Sequence, residues 1–302
     1  MTEPVVPRPG SLRVALVQRS CGRDPAQNLN GQLGAIREAA ADGASLVLLQ
    51  ELHNTTYFCQ IEDPSRFDLA EPVPGPTTEV LGRLAAEFGI VIVGSVFERR
   101  AAGLYHNTAV VLDRDGSLAG RYRKMHIPDD PGYYEKFYFT PGDGNWGPVD
   151  TGVGRLGVLV CWDQWYPEAA RLMALAGADM LLYPSAIGWD ARDSEAERER
   201  QRDAWIVAQR GHAVCNSLPL LACNRVGEEP DPSGQGPGIR FWGSSFICGP
   251  QGELLAQAAT DRNQVLLGEI EPGRSEHIRR MWPFLRDRRI DSYGDLLRRF
   301  RD

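Results

Sequence analysis

At 302 residues, with 42% hydrophobic and 24% charged, the chain has the composition of a globular protein of one large α/β domain or two ordinary ones. Its formal charge of −7 argues against nucleic acid or an anionic membrane surface as a partner, and suits a small substrate that is cationic or neutral. No apolar run reaches the ~20 residues of a transmembrane helix, and MTEPVVPRPGS at the start lacks the regions of a secretory signal, so a reducing cytoplasm is expected.

Residues 12–18 (LRVALVQ) read as a first strand, and residues 28–41, with Leu, Ile and Ala at helical spacing, as a helix that stops before Gly43. A second strand at 46–49 delivers Glu51 just past its end. A Pro-rich loop, a helix over 77–88 and a β-branched strand over 90–97 follow. The pattern then changes. Segments 107–112 and 117–123 flank DRDG at 113–116, a hairpin signal with glycine where positive φ is needed, so antiparallel pairs mix with parallel ones. Residues 125–146 form an aromatic, Gly- and Pro-rich loop, and a loop of that length inside a compact chain is usually functional.

An apolar strand over 155–160 ends at Cys161, and Pro167-Glu168 opens the next helix. After a strand at 180–183, Ser194 to Glu197 (SEAE) reads as a capping box for a long helix reaching about Cys215. Strands at 218–223, 244–248, 254–258 and 264–270 complete the pattern, with GPQG at 249–252 as a turn. No linker, repeat or low-complexity segment divides the chain. The expectation is one domain over 1–302, of α/β class with two mixed sheets and helices outside. The arginine-rich tail, 274–302, is expected to serve as contact surface between subunits.

Three polar residues stand where apolar strands end: Glu51, Lys124 and Cys161. A carboxylate, an ammonium and a thiol form a coherent nucleophilic set: the carboxylate takes the thiol proton, the ammonium faces the developing oxyanion, and the thiolate attacks. Each also has a plainer reading, as a core cysteine, a solvated or capping glutamate, and a lysine on a basic strand edge. The six cysteines (21, 59, 161, 215, 223 and 248) form no CxxC pair and the five histidines show no ligand spacing, so neither disulfides, metal nor cofactor is expected. GVGRLG at 152–157 matches the dinucleotide fingerprint GxGxxG but precedes a strand instead of opening a helix, and reads as a turn.

Taken in order, Leu49-Gln50-Glu51, Tyr122-Arg123-Lys124-Met125-His126 and GVLVCWDQWYPE (157–168) resemble the nitrilase superfamily of carbon–nitrogen hydrolases, over roughly residues 14–270. The resemblance implies a four-layer αββα sandwich, Glu51 as general base, Lys124 as oxyanion stabiliser, Cys161 as nucleophile, the Trp162 N–H as second oxyanion donor, and Glu135 as a further glutamate beside them. It also implies a homo-oligomer built from dimers. Within the superfamily, KMHIPDDPGYYEKF (124–137), CWDQWYPEAAR (161–171) and PSAIGW (184–189) are most similar to the N-carbamoylputrescine amidases, which implies hydrolysis of that compound to putrescine, carbon dioxide and ammonia in polyamine biosynthesis.

Physical reasoning points the same way. Relatives acting on N-carbamoyl amino acids carry arginines shortly after the nucleophile, where this chain has Gln164 and Trp165, so a substrate carboxylate lacks its bidentate partner there. Asp129, Asp130 and above all Asp190 offer carboxylates to a distal ammonium, with Tyr133, Trp162 and Trp189 lining the methylenes and His126 at the substrate. Arg121, Arg123 and Arg192 stay in play as pocket cations. The alternative within the superfamily is a β-ureidopropionase-like or aliphatic amidase activity. Outside hydrolysis the competitor is a non-catalytic binding module, for which loss of a triad member would have spoken, and a glutaminase feeding a synthetase would need a further ATP-using domain.

Overall fold

A computed structural model describes residues 10–301. In chain order, β1 (Leu12–Gln18), α1 (Pro25–Ala41), β2 (Leu46–Leu49), α2 (Pro76–Phe88), β3 (Val91–Ala101), β4 (Leu104–Leu112) and β5 (Leu118–Arg123) build the first half. A long segment with one short helix, α3 (Glu135–Tyr138), leads to β6 (Val149–Thr151), β7 (Gly154–Val158) and α4 (Pro167–Leu175). Next come β8 (Met180–Ser185), β9 (Gly188–Asp190), α5 (Glu195–Asn216), β10 (Leu220–Asn224), β11 (Val226–Glu229) and β12 (Ile239–Trp242). The chain closes with β13 (Phe246–Cys248), β14 (Leu254–Gln257), β15 (Gln264–Ile270) and α6 (Pro272–Met281). No helix among the described residues is long and apolar enough to cross a membrane.

Two six-stranded sheets result, ordered β15-β1-β2-β3-β4-β5 and β14-β13-β10-β8-β7-β6, with a small third sheet, β11-β12-β9, beside them. Strand alternation sorts the side chains into layers. On β1, β2 and β3, Val14, Leu16, Leu46, Leu48, Val91 and Val93 face the second sheet and join Val158, Leu182 and Leu220 in one core. Their neighbours Ala15, Val17, Val47, Leu49 and Ile92 face outward and are covered by Ile36 of α1 and by Leu81 and Leu84 of α2. Because helices cover the outer faces, the central strands are apolar on both sides, which explains the unbroken LVLL of β2. The architecture is the expected αββα sandwich.

Several boundaries differ from the sequence expectation for local reasons. Helix α1 starts at Pro25, three residues early, because the Asp24 carboxylate caps the N–H groups of Ala26 and Gln27. Strand β3 runs on to Ala101 and turns at Gly103 (φ +74°) into β4, a second hairpin that the sequence reading missed. Strands β6, β9, β11 and β12 were also unforeseen; β9 and β12 pair antiparallel, with Ile239 opposite Asp190. The cap of α5 is one-sided: Ser194 accepts from the Glu197 N–H, while the Glu197 carboxylate turns to Arg200 and Gln201. The GVGRLG segment holds the turn between the antiparallel strands β6 and β7, as expected.

Candidate active site

The site lies between the two large sheets, at the ends of their strands. Glu51 follows β2 and Lys124 follows β5 in the first sheet, while Cys161 lies just beyond β7 in the second. Glu51 and Lys124 have no exposed surface, and Glu135 of α3 is 1% exposed. The Lys124 ammonium donates to Glu51 Oε1 at 2.8 Å and to Glu135 Oε2 at 2.6 Å. Burial opposes its charge, but Glu135 and Glu51 outweigh that and hold the ammonium well above its usual range. Glu51 Oε1 also accepts from Asn107 Nδ2 at 2.6 Å, whereas Glu51 Oε2 has no hydrogen-bond partner among the described residues. Tyr57 donates to Glu135 Oε1 at 2.7 Å. Burial, with repulsion from Glu51, pushes the Glu135 carboxyl up to about 7 against the pull of Lys124.

Cys161 sits on a strained elbow. Its φ of +42° belongs to the left-handed region that residues with a Cβ rarely enter, and such outliers gather at functional sites. The buried Asp163 carboxylate secures the bend. It accepts from the Val160 N–H and the Tyr122 hydroxyl on one oxygen, and from the His126 N–H and ring Nδ1 on the other. Because a carboxylate only accepts from an N–H, Nδ1 is assigned the proton. The Cys161 thiol is 5% exposed. Burial pushes it well above the usual thiol range and the Glu51 charge adds to this, while Lys124 and the Ala186 N–H pull it back. A protonated thiol, a paired carboxylate with one oxygen free and a buried ammonium can together transfer a proton, attack a carbonyl carbon and stabilise its oxyanion.

A family profile for carbon-nitrogen hydrolases matches residues 13–280. The chain belongs to the carbon-nitrogen hydrolase family. It is 42% identical over 286 residues to an N-carbamoylputrescine amidase of Arabidopsis thaliana, covering 94% of each chain. A citrullinase of Francisella tularensis is 38% identical over 291 residues, 96% of this chain and 99% of the relative. Among solved structures, a carbon-nitrogen hydrolase from Helicobacter pylori G27 superposes with a TM-score of 0.94 at 53% identity, over 97% of this chain and 100% of that one. The chain is thus an amide-hydrolysing enzyme of the nitrilase superfamily, with N-carbamoylputrescine amidases among its similar relatives.

The hydrolase engages several residues expected at the substrate in other contacts. His126, tied to Asp163, also stacks on Tyr166 with centroids 3.7 Å apart and planes 6° from parallel, so it braces the elbow. Trp189 donates its indole N–H to the Arg198 carbonyl on α5 and packs on Trp242. Asp190, expected to be open to an ammonium, is gripped by the Nε and a terminal nitrogen of Arg192, which holds its carboxyl down to about 2. Asp129 and Asp130 are exposed. Tyr133 exchanges hydrogen bonds with the N–H and C=O of Gly188, at 3.1 Å each, and joins α3's loop to β9. Trp162, half-buried, meets Trp165 edge to face. Gln164 is fully buried, its Oε1 accepting from Trp205 at 2.7 Å.

Sequence reasoning missed Asn107, Tyr57 and Asp163 as parts of this framework, and Arg225, whose buried guanidinium donates to the Glu51 carbonyl at 3.1 Å. A cleft of about 780 Å³ lies elsewhere, between α5 and the β14–β15 connection, lined by Arg202, Ile206, Gln257 and Arg262 among others. Glu51, Lys124 and Cys161 do not line it, and their combined chemistry makes the cluster at Cys161 the candidate site. Among the described residues no group of His, Cys, Asp and Glu is arranged to hold a metal ion.

Proposed function

We propose that the enzyme hydrolyses N-carbamoylputrescine with Cys161 as nucleophile, Glu51 as general base and Lys124 as oxyanion stabiliser. The observation that carries this reading is the asymmetry of Glu51: one oxygen is saturated by Lys124 and Asn107, and the other is buried and unpaired while its charge acts on a protonated Cys161. Glu51 takes the thiol proton as the Cys161 sulfur bonds to the ureido carbon. The oxyanion faces Lys124 and the Trp162 N–H. On collapse the carbon–nitrogen bond breaks, the departing nitrogen takes the proton from Glu51, and a thiol-bound acyl group remains. Water, deprotonated by Glu51, adds to that carbon; the sulfur leaves and recovers the proton from Glu51, and the released carbamic acid splits into carbon dioxide and the second amine, so that the products are putrescine, carbon dioxide and ammonia. These steps draw on the chain's own groups. Glu135 balances Lys124, so that one buried ammonium serves two carboxylates.

The substrate's four-carbon ammonium tail is assigned to the Asp190 end, where it competes with Arg192. A second reading follows from that same ion pair. A ureido amino acid carries both an ammonium and a carboxylate, and Asp190 with Arg192 offers a partner for each; one relative is called a citrullinase. The deciding experiment compares kcat/KM for N-carbamoylputrescine, citrulline, N-carbamoyl-β-alanine and a simple aliphatic amide, with Cys161→Ala as control. N-carbamoylputrescine should lead, and the variant should lose essentially all turnover. Preference for N-carbamoyl-β-alanine overturns the substrate, and a wild-type rate for Cys161→Ala overturns the mechanism.

We also propose that the enzyme assembles as dimers through its tail. From residue 274 the chain carries nine arginines against five acids, although the whole has a charge of −7, so the tail suits the acidic body of a second copy. Met281, Leu297 and Phe300 are 68%, 95% and 80% exposed, an apolar surface that a partner would cover.

A further inference from the structure

Glu51 and Cys161 belong to different sheets, so their separation depends on whatever fixes the end of β2 against the second sheet. The turn that carries Glu51 is not self-sustaining: Leu52, a branched residue, has φ +47°. Two contacts hold it from within the first sheet. Leu52 N–H donates to Ser95 Oγ at 3.1 Å, and Ser95 in turn donates to Asn107, the partner of Glu51. From the second sheet, the Glu51 N–H reaches the Ser185 carbonyl of β8 at 3.3 Å.

The strongest tie is Arg225, directly after β10 and fully buried. One of its terminal nitrogens donates to the carbonyls of Glu51 (3.1 Å) and Leu52 (2.9 Å), the other to the Thr55 carbonyl (2.9 Å) and to Glu229 Oε1 (2.6 Å). Its own N–H donates to the same Ser185 carbonyl that receives Glu51. Glu229 completes the clamp: its second oxygen accepts from the Tyr57 N–H at 2.6 Å, and Tyr57 is the donor to Glu135. One buried ion pair therefore grips the backbone that carries Glu51 and Tyr57, the latter the donor to Glu135, without touching the reacting atoms.

We infer that Arg225, anchored by Glu229, is a positioning residue that sets the general base of the first sheet against the nucleophile of the second. The inference rests on the reading of Glu51 as base. A guanidinium fork spans three carbonyls and a carboxylate at fixed angles, whereas a lysine ammonium presents its donors from one point. A misplacement of about 1 Å costs on the order of 10²-fold in rate.

The test uses the full chain carrying Arg225→Lys, with kcat and KM for N-carbamoylputrescine and, independently of substrate, the rate at which iodoacetamide alkylates Cys161 at neutral pH. In that reaction the Cys161 sulfur bonds to the methylene carbon, iodide departs and the thiol proton goes to the base. Peptide mass analysis distinguishes it from alkylation at the exposed Cys215. Expected are a fall in kcat of about 10²-fold with KM nearly unchanged, and slower alkylation of Cys161 with Cys215 unaffected. A merely structural role would loosen the packing and make the buried Cys161 react faster. Should Arg225→Lys fail to fold, Glu229→Gln replaces it, with the same direction of change and a several-fold loss. Parent-like kcat and alkylation in a folded variant, or faster alkylation of Cys161, overturns the inference. Glu51→Ala run in parallel separates the two ideas: if it also keeps parent-like rates, the assignment of the base has failed.

Discussion

Replacing Tyr57 by phenylalanine should move the pH profile of the enzyme by an amount the site geometry predicts. The Tyr57 hydroxyl lies 2.7 Å from Glu135 and stabilises the ionised carboxylate, whose carboxyl burial has pushed up to about 7. A hydrogen bond to a charged group contributes about 1.5–3 kcal/mol, and about 1.4 kcal/mol corresponds to one pH unit, so its loss should raise the Glu135 carboxyl further, by about one to two pH units. The sign is fixed: removing a donor from the charged form favours the protonated acid. With Glu135 neutral, Lys124 keeps only Glu51 as counter-charge and binds it more tightly, leaving the base less able to take a proton. The acid limb of kcat/KM should therefore move up by about 1–2 units. At pH 7 less of Glu135 is then ionised than in the parent, so activity should drop severalfold or more and recover toward pH 9. The assay is kcat/KM across that range with substrate saturation checked at each pH. A uniform loss at every pH, with the acid limb unmoved, would refute the linkage between Tyr57, Glu135 and the base.

Specificity and assembly offer simpler checks. Asp190→Asn should lower kcat/KM for N-carbamoylputrescine relative to a neutral alkylurea by about tenfold, the low end for a charged hydrogen bond because Arg192 already occupies the carboxylate. Arg192→Ala should raise the same ratio, and a ratio unchanged in both variants removes the pair from the site. Light scattering at micromolar concentration should give at least about 67 kDa, twice the 33.4 kDa of the chain, and a monomer mass sinks the dimer.

The residues that sequence reasoning singled out share one signature, a polar side chain where an apolar strand ends. Glu51 after LVLL and Cys161 after β7 were legible on that rule, and so was the sandwich, since the hydrophobic strands with helices between them leave few other layer arrangements. The same rule applied to LLACN followed by Arg225 would have found the clamp; it went unread because arginine is so often solvated that its burial is invisible in sequence. Asn107 lay in a polar run, His106 to Thr108, inside a strand, a signal present but not read. Tyr57 carried none: it meets Glu135, 78 residues away, through tertiary packing alone. Asp190 and His126 were placed at the substrate because their neighbours in sequence pointed there, yet the partners that claimed them, Arg192 and Asp163, were decided by side-chain direction, which no spacing records. The strands of the small sheet are only three or four residues long, too short to show a period.

The burial of Cys161 has a consequence for life in air. Peroxide attacks thiolates, and does so in proportion to thiolate character and access. Cys161, held as a thiol at 5% exposure, gives oxidants little to react with, and in the mechanism proposed above it surrenders its proton only as an electrophilic carbon arrives. Cys215, exposed on α5, is the sulfur that meets them first. On the proposed mechanism the enzyme can thus carry a cysteine as its reactive group with little need of rescue from sulfenic acid, because the resting state withholds the species that would be oxidised.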